Sequence, residues 1–289
     1  MRSVLEETKF IMDKYKIKAN KSLGQNFLIS DEVIENIIDK SEIKSDDLII
    51  EIGPGLGTLT SCLLEKAKKV ICIELDDKMI EILQERFKLY NNFELIHNDV
   101  LKVDLQELIK KEKENNNIKN VKVVANLPYY ITTPIIMKLL EEKLDLKSIT
   151  VMVQKEVGDR LIATPGDKET GAITYTVYYY ASAKKIIEVS KNSFVPEPEV
   201  TSEVIQLNIR IDEPVNVENK EEMFKIIKGA FMQRRKTLLN ALTNAKIFAS
   251  KEEGTKILKE LGIAENIRPE KLTLQNYADI TNKICNKSI

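Results

Sequence analysis

Histidine, cysteine and long apolar runs are scarce in this chain, and each shortage removes a class of function. His97 is the only histidine among 289 residues, so triad chemistry built on a His base is set aside. Alone in a strand pattern, His97 reads as a packed or exposed strand residue and not as a catalyst. The three cysteines, Cys62, Cys72 and Cys285, are odd in number, far apart and in no metal-ligand spacing. Neither a disulfide framework nor a metal site is expected from them. No apolar run approaches membrane-spanning length, and the first residues, Met1-Arg-Ser-Val-Leu-Glu-Glu7, bring acids where a signal peptide would continue apolar. The expectation is a cytoplasmic protein with no membrane partner. With a formal net charge of −1, a polyanion would have to be held by local basic patches and not by the field of the whole molecule. Internal repeats and low-complexity tracts are missing as well.

What is present is a core and a pattern. A hydrophobic share of 43% over this length supports one large domain plus a small one. The stretch from Leu48 to Thr60, Leu-Ile-Ile-Glu-Ile-Gly-Pro-Gly-Leu-Gly-Thr-Leu-Thr, organises the rest. Its apolar run, ending in Glu51 and Ile52, reads as a buried parallel strand. Gly53, Gly55 and Gly57 then form a turn that lets backbone N–H groups and a helix start approach a nucleotide-like ligand. Further strands are predicted over Lys69 to Leu75, Phe93 to His97, Val121 to Ala125 and Ser148 to Gln154. Helical patterns over Leu59 to Lys66, Asp77 to Phe87 and Thr133 to Glu142 alternate with them. That alternation predicts a parallel sheet with helices on both faces and ligands at the strand carboxyl ends. Gly53, Glu74, Asp99 and Asn126 all fall on this edge. A carboxylate at Glu74 suits a ribose diol, and one at Asp99 suits an exocyclic amine such as that of adenine.

Elsewhere the signals are weaker. Gln25 and Asn26 beside Phe27 suit a nucleotide lid. The Lys-Glu-Lys-Glu-Asn-Asn-Asn stretch between Leu105 and Asn120 reads as a helix end and a flexible surface insertion. Between Thr170 and Ala181 the residues Ile173, Tyr175, Val177 and Tyr179 alternate as in a strand, without settling the matter. Two prolines in Asn192 to Val200 make a stiff loop that could fix Phe194. Asp212-Glu-Pro214 is the best domain boundary, dividing 1–212 from a helical 213–289. Basic residues at Lys14 to Lys21, and Arg234, Arg235 and Lys236 at a helix junction, are candidates for gripping phosphates.

Taken together, Lys21-Ser-Leu-Gly-Gln-Asn-Phe-Leu28, Glu51-Ile-Gly-Pro-Gly-Leu-Gly-Thr-Leu-Thr60, Asn98-Asp-Val100, Asn126-Leu-Pro-Tyr-Tyr130, Ser193-Phe-Val-Pro-Glu-Pro-Glu-Val-Thr-Ser202 and Phe231-Met-Gln-Arg-Arg-Lys236 resemble the ribosomal RNA adenine dimethyltransferases, most closely the bacterial small-subunit branch. The match runs in order from about Lys21 to Leu239. The resemblance implies an α/β fold: a Rossmann-like class I methyltransferase domain with a mostly parallel sheet, plus a small all-α C-terminal domain. It implies S-adenosylmethionine as cofactor, covered by Gln25, Asn26 and Leu28, approached by Gly53 and Gly55, and held by Glu74 at the ribose and Asp99 at the adenine. It also suggests that Ala172 to Ala181 is a helix.

The implied reaction is N6 methylation of two adjacent adenosines near the 3′ end of small-subunit rRNA, in an immature ribosomal subunit, by a monomer. Asn126, which also borders the cofactor, and the Leu127 carbonyl, directed by Pro128, would accept from the target amine. Tyr129 and Phe194 would stack on the extruded base. Lys21, Arg234, Arg235 and Lys236 would contact RNA. The competing readings are a large-subunit rRNA methyltransferase of the macrolide-resistance type, a nicotinamide-dependent dehydrogenase, and a non-catalytic ribosome assembly factor.

Overall fold

The computed structural model describes residues 3–20, 24–233 and 235–286. They divide into two compact units, Met1–Gly158 with Ala183–Ile209, and Asp159–Ser182 with Arg210–Ile289. The change at Ile209 falls three residues before the expected boundary after Asp212, and the second unit also takes Asp159–Ser182, which the expected division assigned to the first.

The first unit opens with α1 (Val4–Tyr15), β1 (Phe27–Leu28) and α2 (Asp31–Lys40). Ser30 caps α2 by accepting from the Val33 N–H. Then come β2 (Asp47–Ile52), α3 (Thr58–Lys66), β3 (Lys69–Glu74), α4 (Asp77–Phe87), β4 (Phe93–His97), α5 (Leu105–Asn116), β5 (Asn120–Asn126), α6 (Thr132–Glu141) and β6 (Ser148–Gln154). Helix α7 (Lys155–Ile162) and helix α8 (Ala172–Tyr180) follow, then β7 (Ala181–Val189), β8 (Phe194–Val195) and β9 (Ser202–Ile209).

Among the described residues the main sheet has the order β4-β3-β2-β5-β6-β9-β7. The pairs from β4 through β6 are parallel, and β6 with β9 is antiparallel. Through the parallel part, from β4 to β6, chain order therefore runs outward in both directions from the β2–β5 pair, which is the switch point where such sheets open a crevice at their carboxyl ends. Every residue of β2 is buried, as its apolar run predicts for a strand covered on both faces. A separate two-stranded ladder pairs β1 with β8, Leu28 opposite Phe194.

The second unit contains α8 and then α9 (Lys220–Phe231), α10 (Leu238–Asn244), α11 (Lys251–Glu260) and α12 (Leu274–Cys285). The helix that the resemblance implies for Ala172 to Ala181 is found, and the alternation that left this segment open has a physical reason. The alternating residues of α8 form a helix because Ile173 through Val177, and Tyr179, are all buried. A helix covered nearly all round carries no amphipathic period. Its Tyr175 hydroxyl donates to the Leu272 carbonyl at 2.7 Å, and the ring meets Tyr277 edge-on at 4.9 Å. The Lys-Glu-Lys-Glu-Asn-Asn-Asn stretch is a helix end, as expected, forming the last turns of α5 up to Asn116, and not a loose insertion. Glu112 pairs with Lys69 at 2.8 Å and accepts from Asn116, and Asn117 ends the helix in the left-handed region.

At the opposite, amino-terminal edge of β2 and β5 lies a buried ion pair. Lys122 Nζ sits 2.8 Å from the fully buried Asp47 and donates to the Glu42 carbonyl at 2.6 Å. Burial by itself would raise the Asp47 carboxyl, yet the bonds from Lys122, Asn120 and the Lys44 N–H together hold it below its ordinary value of 3.8. The stabilisation from this shift is present above that ordinary value and is lost as pH falls through the lower folded one. Replacing Lys122→Met strands a buried charge, so denaturant unfolding at pH 7 should show a loss of roughly 3–5 kcal/mol that shrinks below pH 4. A loss under about 1 kcal/mol at pH 7 would contradict this role for the pair.

Candidate functional site

The site begins where β2 runs out. Gly53, Gly55 and Gly57 follow with φ of 65°, 57° and 79°. A side chain at Gly57 would put its Cβ 2.5 Å from the Phe87 ring, and one at Gly55 would press on the Phe27 ring at 3.4 Å. Glycine here lets the turn pack tightly and start α3. The Arg86 guanidinium donates to the Leu56 carbonyl and so ties the same turn to α4.

Glu74, the last residue of β3, closes the turn from the neighbouring strand. Its Oε2 accepts from the Gly55 N–H at 3.3 Å, and its Oε1 accepts from the N–H groups of Leu75 and Asp76 at 2.7 and 2.9 Å. Burial raises its pKa, partly offset by those three bonds. A carboxylate has capacity for about four bonds, so Glu74 keeps room for a hydroxyl. Past the end of β4, Asp99 uses Oδ1 to accept from the Leu101 N–H at 3.0 Å, and no described residue donates to its Oδ2.

On the other side of the switch point, β5 delivers Asn126 and a short turn. The Asn126 Nδ2 donates to the Asn26 carbonyl at 3.2 Å, leaving Oδ1 as an acceptor. The Leu127 N–H donates to the Met152 carbonyl at 3.3 Å. The Pro128 carbonyl is taken up by the Ile131 N–H and the Thr132 hydroxyl. Among the described residues nothing donates to the Leu127 carbonyl. Tyr129 is half-buried, with its hydroxyl 2.6 Å from Ser202 Oγ on β9, and burial raises its phenol. Gln25 bridges the ends of the site: its Nε2 donates to Asp76 at 2.7 Å and its Oε1 accepts from the Asn20 N–H.

These groups line one cavity that opens to solvent. Gln25, Asn26, Leu28, Gly53, Gly55, Glu74, Asp99 and Asn126 all border it, as do Leu127, Pro128 and Tyr129. Phe194 does not. Its ring is 1% exposed and packs in the core beside Leu28, so the expectation that it stacks on a base is corrected: the ladder of β8 with β1 turns that ring inward. His97 stands outside the cavity, its Nε2 3.2 Å from the Asp77 carboxylate. Arg235 and Lys236 are exposed after α9. Lys21 and Arg234 lie outside the described residues.

Sequence reasoning passed over Glu51. This acid inside an apolar strand is 2% exposed and lines the cavity floor. Burial pushes its carboxyl up to about 7, with Glu74 adding to the rise, against bonds donated by the Thr60 hydroxyl at 2.6 Å and the Cys72 thiol at 3.4 Å. An ionisable residue in a fully buried strand two positions before the first glycine of the turn is the signal that could have marked it.

The donor and acceptor set fits S-adenosylmethionine. Acceptor capacity remains on the carboxylates at the β3 and β4 ends, and glycine backbone stands at the β2 end.

Comparison with known proteins agrees with this geometry. Residues 16–286 match the family described as "Ribosomal RNA adenine dimethylase". The chain is 47% identical over 278 residues to "Ribosomal RNA small subunit methyltransferase A" of Alkaliphilus metalliredigens, covering 96% of each chain. It is 49% identical to the protein of the same name from Clostridium botulinum strain Langeland, covering 96% of this chain and 98% of that one. A crystal structure of a dimethyladenosine transferase from Plasmodium falciparum superposes with a TM-score of 0.74 at 28% identity, over 91% of this chain and 98% of the other.

Glu51 also sets a stability signature. An unfolded glutamate loses its proton near 4.5 and the folded one holds it to about 7. Between those values the unfolded state binds fewer protons, and stability falls as pH rises. Glu51→Gln should therefore gain on the wild type by on the order of 3 kcal/mol from pH 4.5 to 7 in urea unfolding. Parallel pH profiles for the two proteins would contradict the assignment.

Proposed function

The chain belongs to the ribosomal RNA adenine dimethylase family, and on that premise we propose that it transfers methyl groups from S-adenosylmethionine to the N6 amines of two adjacent adenosines near the 3′ end of small-subunit rRNA. The observation that carries this reading is a shared cavity: the Asn126–Tyr129 turn opens onto the same space as Gly53, Gly55, Glu74 and Asp99. The protein acts as a monomer on an immature small subunit, in the cytoplasm. Among the described residues no helix is long and apolar enough to cross a membrane.

When bound, the cofactor supplies a methyl group on a cationic sulfonium. Glu74 accepts from the ribose hydroxyls, Asp99 accepts from the adenine amine, and Gly53 and Gly55 offer backbone to the methionine part. Gln25, Asn26 and Leu28 cover the site, with Gln25 already tied to Asp76. The target amine is a poor nucleophile because its lone pair is delocalised into the purine. Asn126 Oδ1 and the Leu127 carbonyl, both without a described donor, accept its two N–H groups in the first transfer, and the one that remains in the second, and draw the lone pair onto nitrogen. Pro128 fixes the backbone that presents the second acceptor. Tyr129, held at its hydroxyl by Ser202, offers a ring face to a base taken out of its stack. As the methyl–sulfur bond breaks and the methyl–nitrogen bond forms, the methylated nitrogen becomes a strong acid that gives its proton to solvent water, so positioning replaces a dedicated protein base. Arg235 and Lys236, exposed beyond α9, contact RNA phosphates.

Unmethylated small subunits and labelled cofactor, with products mapped by mass spectrometry, should give dimethylation of two neighbouring adenosines. Asn126→Ala should lower transfer by about 10²–10³-fold, with cofactor affinity by calorimetry little changed; full activity would refute the amine-holding role. Arg235→Ala should weaken binding to the subunit and reduce the slope of log affinity against log salt by about one. An unchanged slope would remove Arg235 from the RNA contact.

A further inference from the structure

Tyr130 stands next to the residue that receives the target base, and nothing above uses it. Its side chain lines the cavity mouth yet is 59% exposed. Tyr129 to Ile131 form a single 3₁₀ turn, in which consecutive side chains diverge by about 120°. Tyr129 is accordingly anchored inward on Ser202, while Tyr130 points out beside the opening. The turn is held from within, since the Pro128 carbonyl accepts from both Ile131 and Thr132.

The ring is backed on one side. Gly24, with φ of 62°, lies so close that a Cβ there would come within 3.3 Å of Tyr130 Cδ1 and 3.8 Å of Pro128 Cβ. Glycine backbone thus supports one part of the ring and leaves the rest facing solvent at the mouth. Among the described residues no group bonds its hydroxyl, so hydrogen bonding does not explain where it sits. A ring that is supported from behind, open in front and adjacent to a base-holding ring is the arrangement that single-stranded nucleic acid uses for stacking successive bases.

We propose that Tyr130 is a second base platform, receiving the purine next to the adenosine held in the cavity. This rests on the methyltransferase reading above and extends it: the enzyme would sense its tandem target through the flanking base as well as through the one it modifies. Tyr130 is then a substrate-positioning residue. Because stacking needs a π face and not the hydroxyl, phenylalanine should serve equally well.

The test pairs the variants Tyr130→Ala and Tyr130→Phe with two substrates. One is the unmethylated small subunit, and the other is the same subunit reconstituted with an abasic nucleotide in place of the neighbour of the target adenosine. For wild type and Tyr130→Phe, removing the neighbouring base should lower kcat/KM at the remaining adenosine by on the order of tenfold. Tyr130→Ala should show a similar loss on the natural substrate and almost no further loss on the abasic one, with cofactor affinity by calorimetry unchanged. An equal abasic penalty in Tyr130→Ala and wild type overturns the proposal. So does a fall in the cofactor affinity of Tyr130→Ala that matches its fall in activity, since the ring would then merely prop the Gly24 segment. Should wild type modify no adenosine in natural subunits, the functional reading itself fails and takes this inference with it.

Discussion

The parallel pairing of β2 with β5 is the contact on which the site depends. It runs from Asp47 opposite Asn120 to Glu51 opposite Val124, and it puts the glycine turn and the Asn126 turn side by side at the same edge of the sheet. Connections from these two strands lead away in opposite directions, so a crevice opens between them without any residue having to create it. Backbone bonding within the sheet and an apolar covering on both faces keep the two strand ends in fixed relation. Shifting the register by one residue would move the Asn126 side chain to the other face and dismantle the cavity.

Charge placement follows from that geometry. Polar groups at the carboxyl edge are satisfied mainly by backbone: Glu74 takes N–H groups from Gly55, Leu75 and Asp76, and Asn126 donates to the Asn26 carbonyl. These bonds fix the direction of each side chain while leaving acceptors facing inward. Glu51 lies beneath, its carboxyl raised by burial and by the nearby Glu74. In the proposed reaction this edge would meet the cofactor, and the turn at Leu127 the N–H groups of the target amine. A methyl transfer from a sulfonium to an amine needs both conditions and little proton handling, which is consistent with a chain that carries one histidine.

Much of this was legible in the sequence because it is local. Strand, glycine turn and helix from Leu48 onward, the acid at the end of β3 and the Asn-Leu-Pro-Tyr turn all show their identity within a few residues, and all line the cavity. What escaped depends on distant partners. The residues of α8 alternate like a strand, so pattern alone left them open and only the resemblance pointed to a helix; the surrounding helices of the second unit bury it, through contacts such as Tyr175 with Tyr277. Phe194 could be a stacking ring or a core residue from its neighbours alone; its pairing segment, β1, lies more than 160 residues away in sequence, and it is that pairing that turns the ring inward. Lys69 and Glu112 stabilise α5 across a similar gap in pattern reading, where charge and asparagine content suggested a loose insertion. Glu51 was visible but unread, an acid where the strand asked for an apolar residue.

The central claim is that one cavity at the β2–β5 switch point brings a methyl donor and an adenine amine together. A crystal structure of the protein with S-adenosylhomocysteine and adenosine tests it directly. The account predicts the product cofactor along Gly53, Glu74 and Asp99, and the adenosine N6 within about 3 Å of both Asn126 Oδ1 and the Leu127 carbonyl oxygen. A nucleoside bound away from Asn126, or a cofactor on the opposite edge of the sheet, would contradict it.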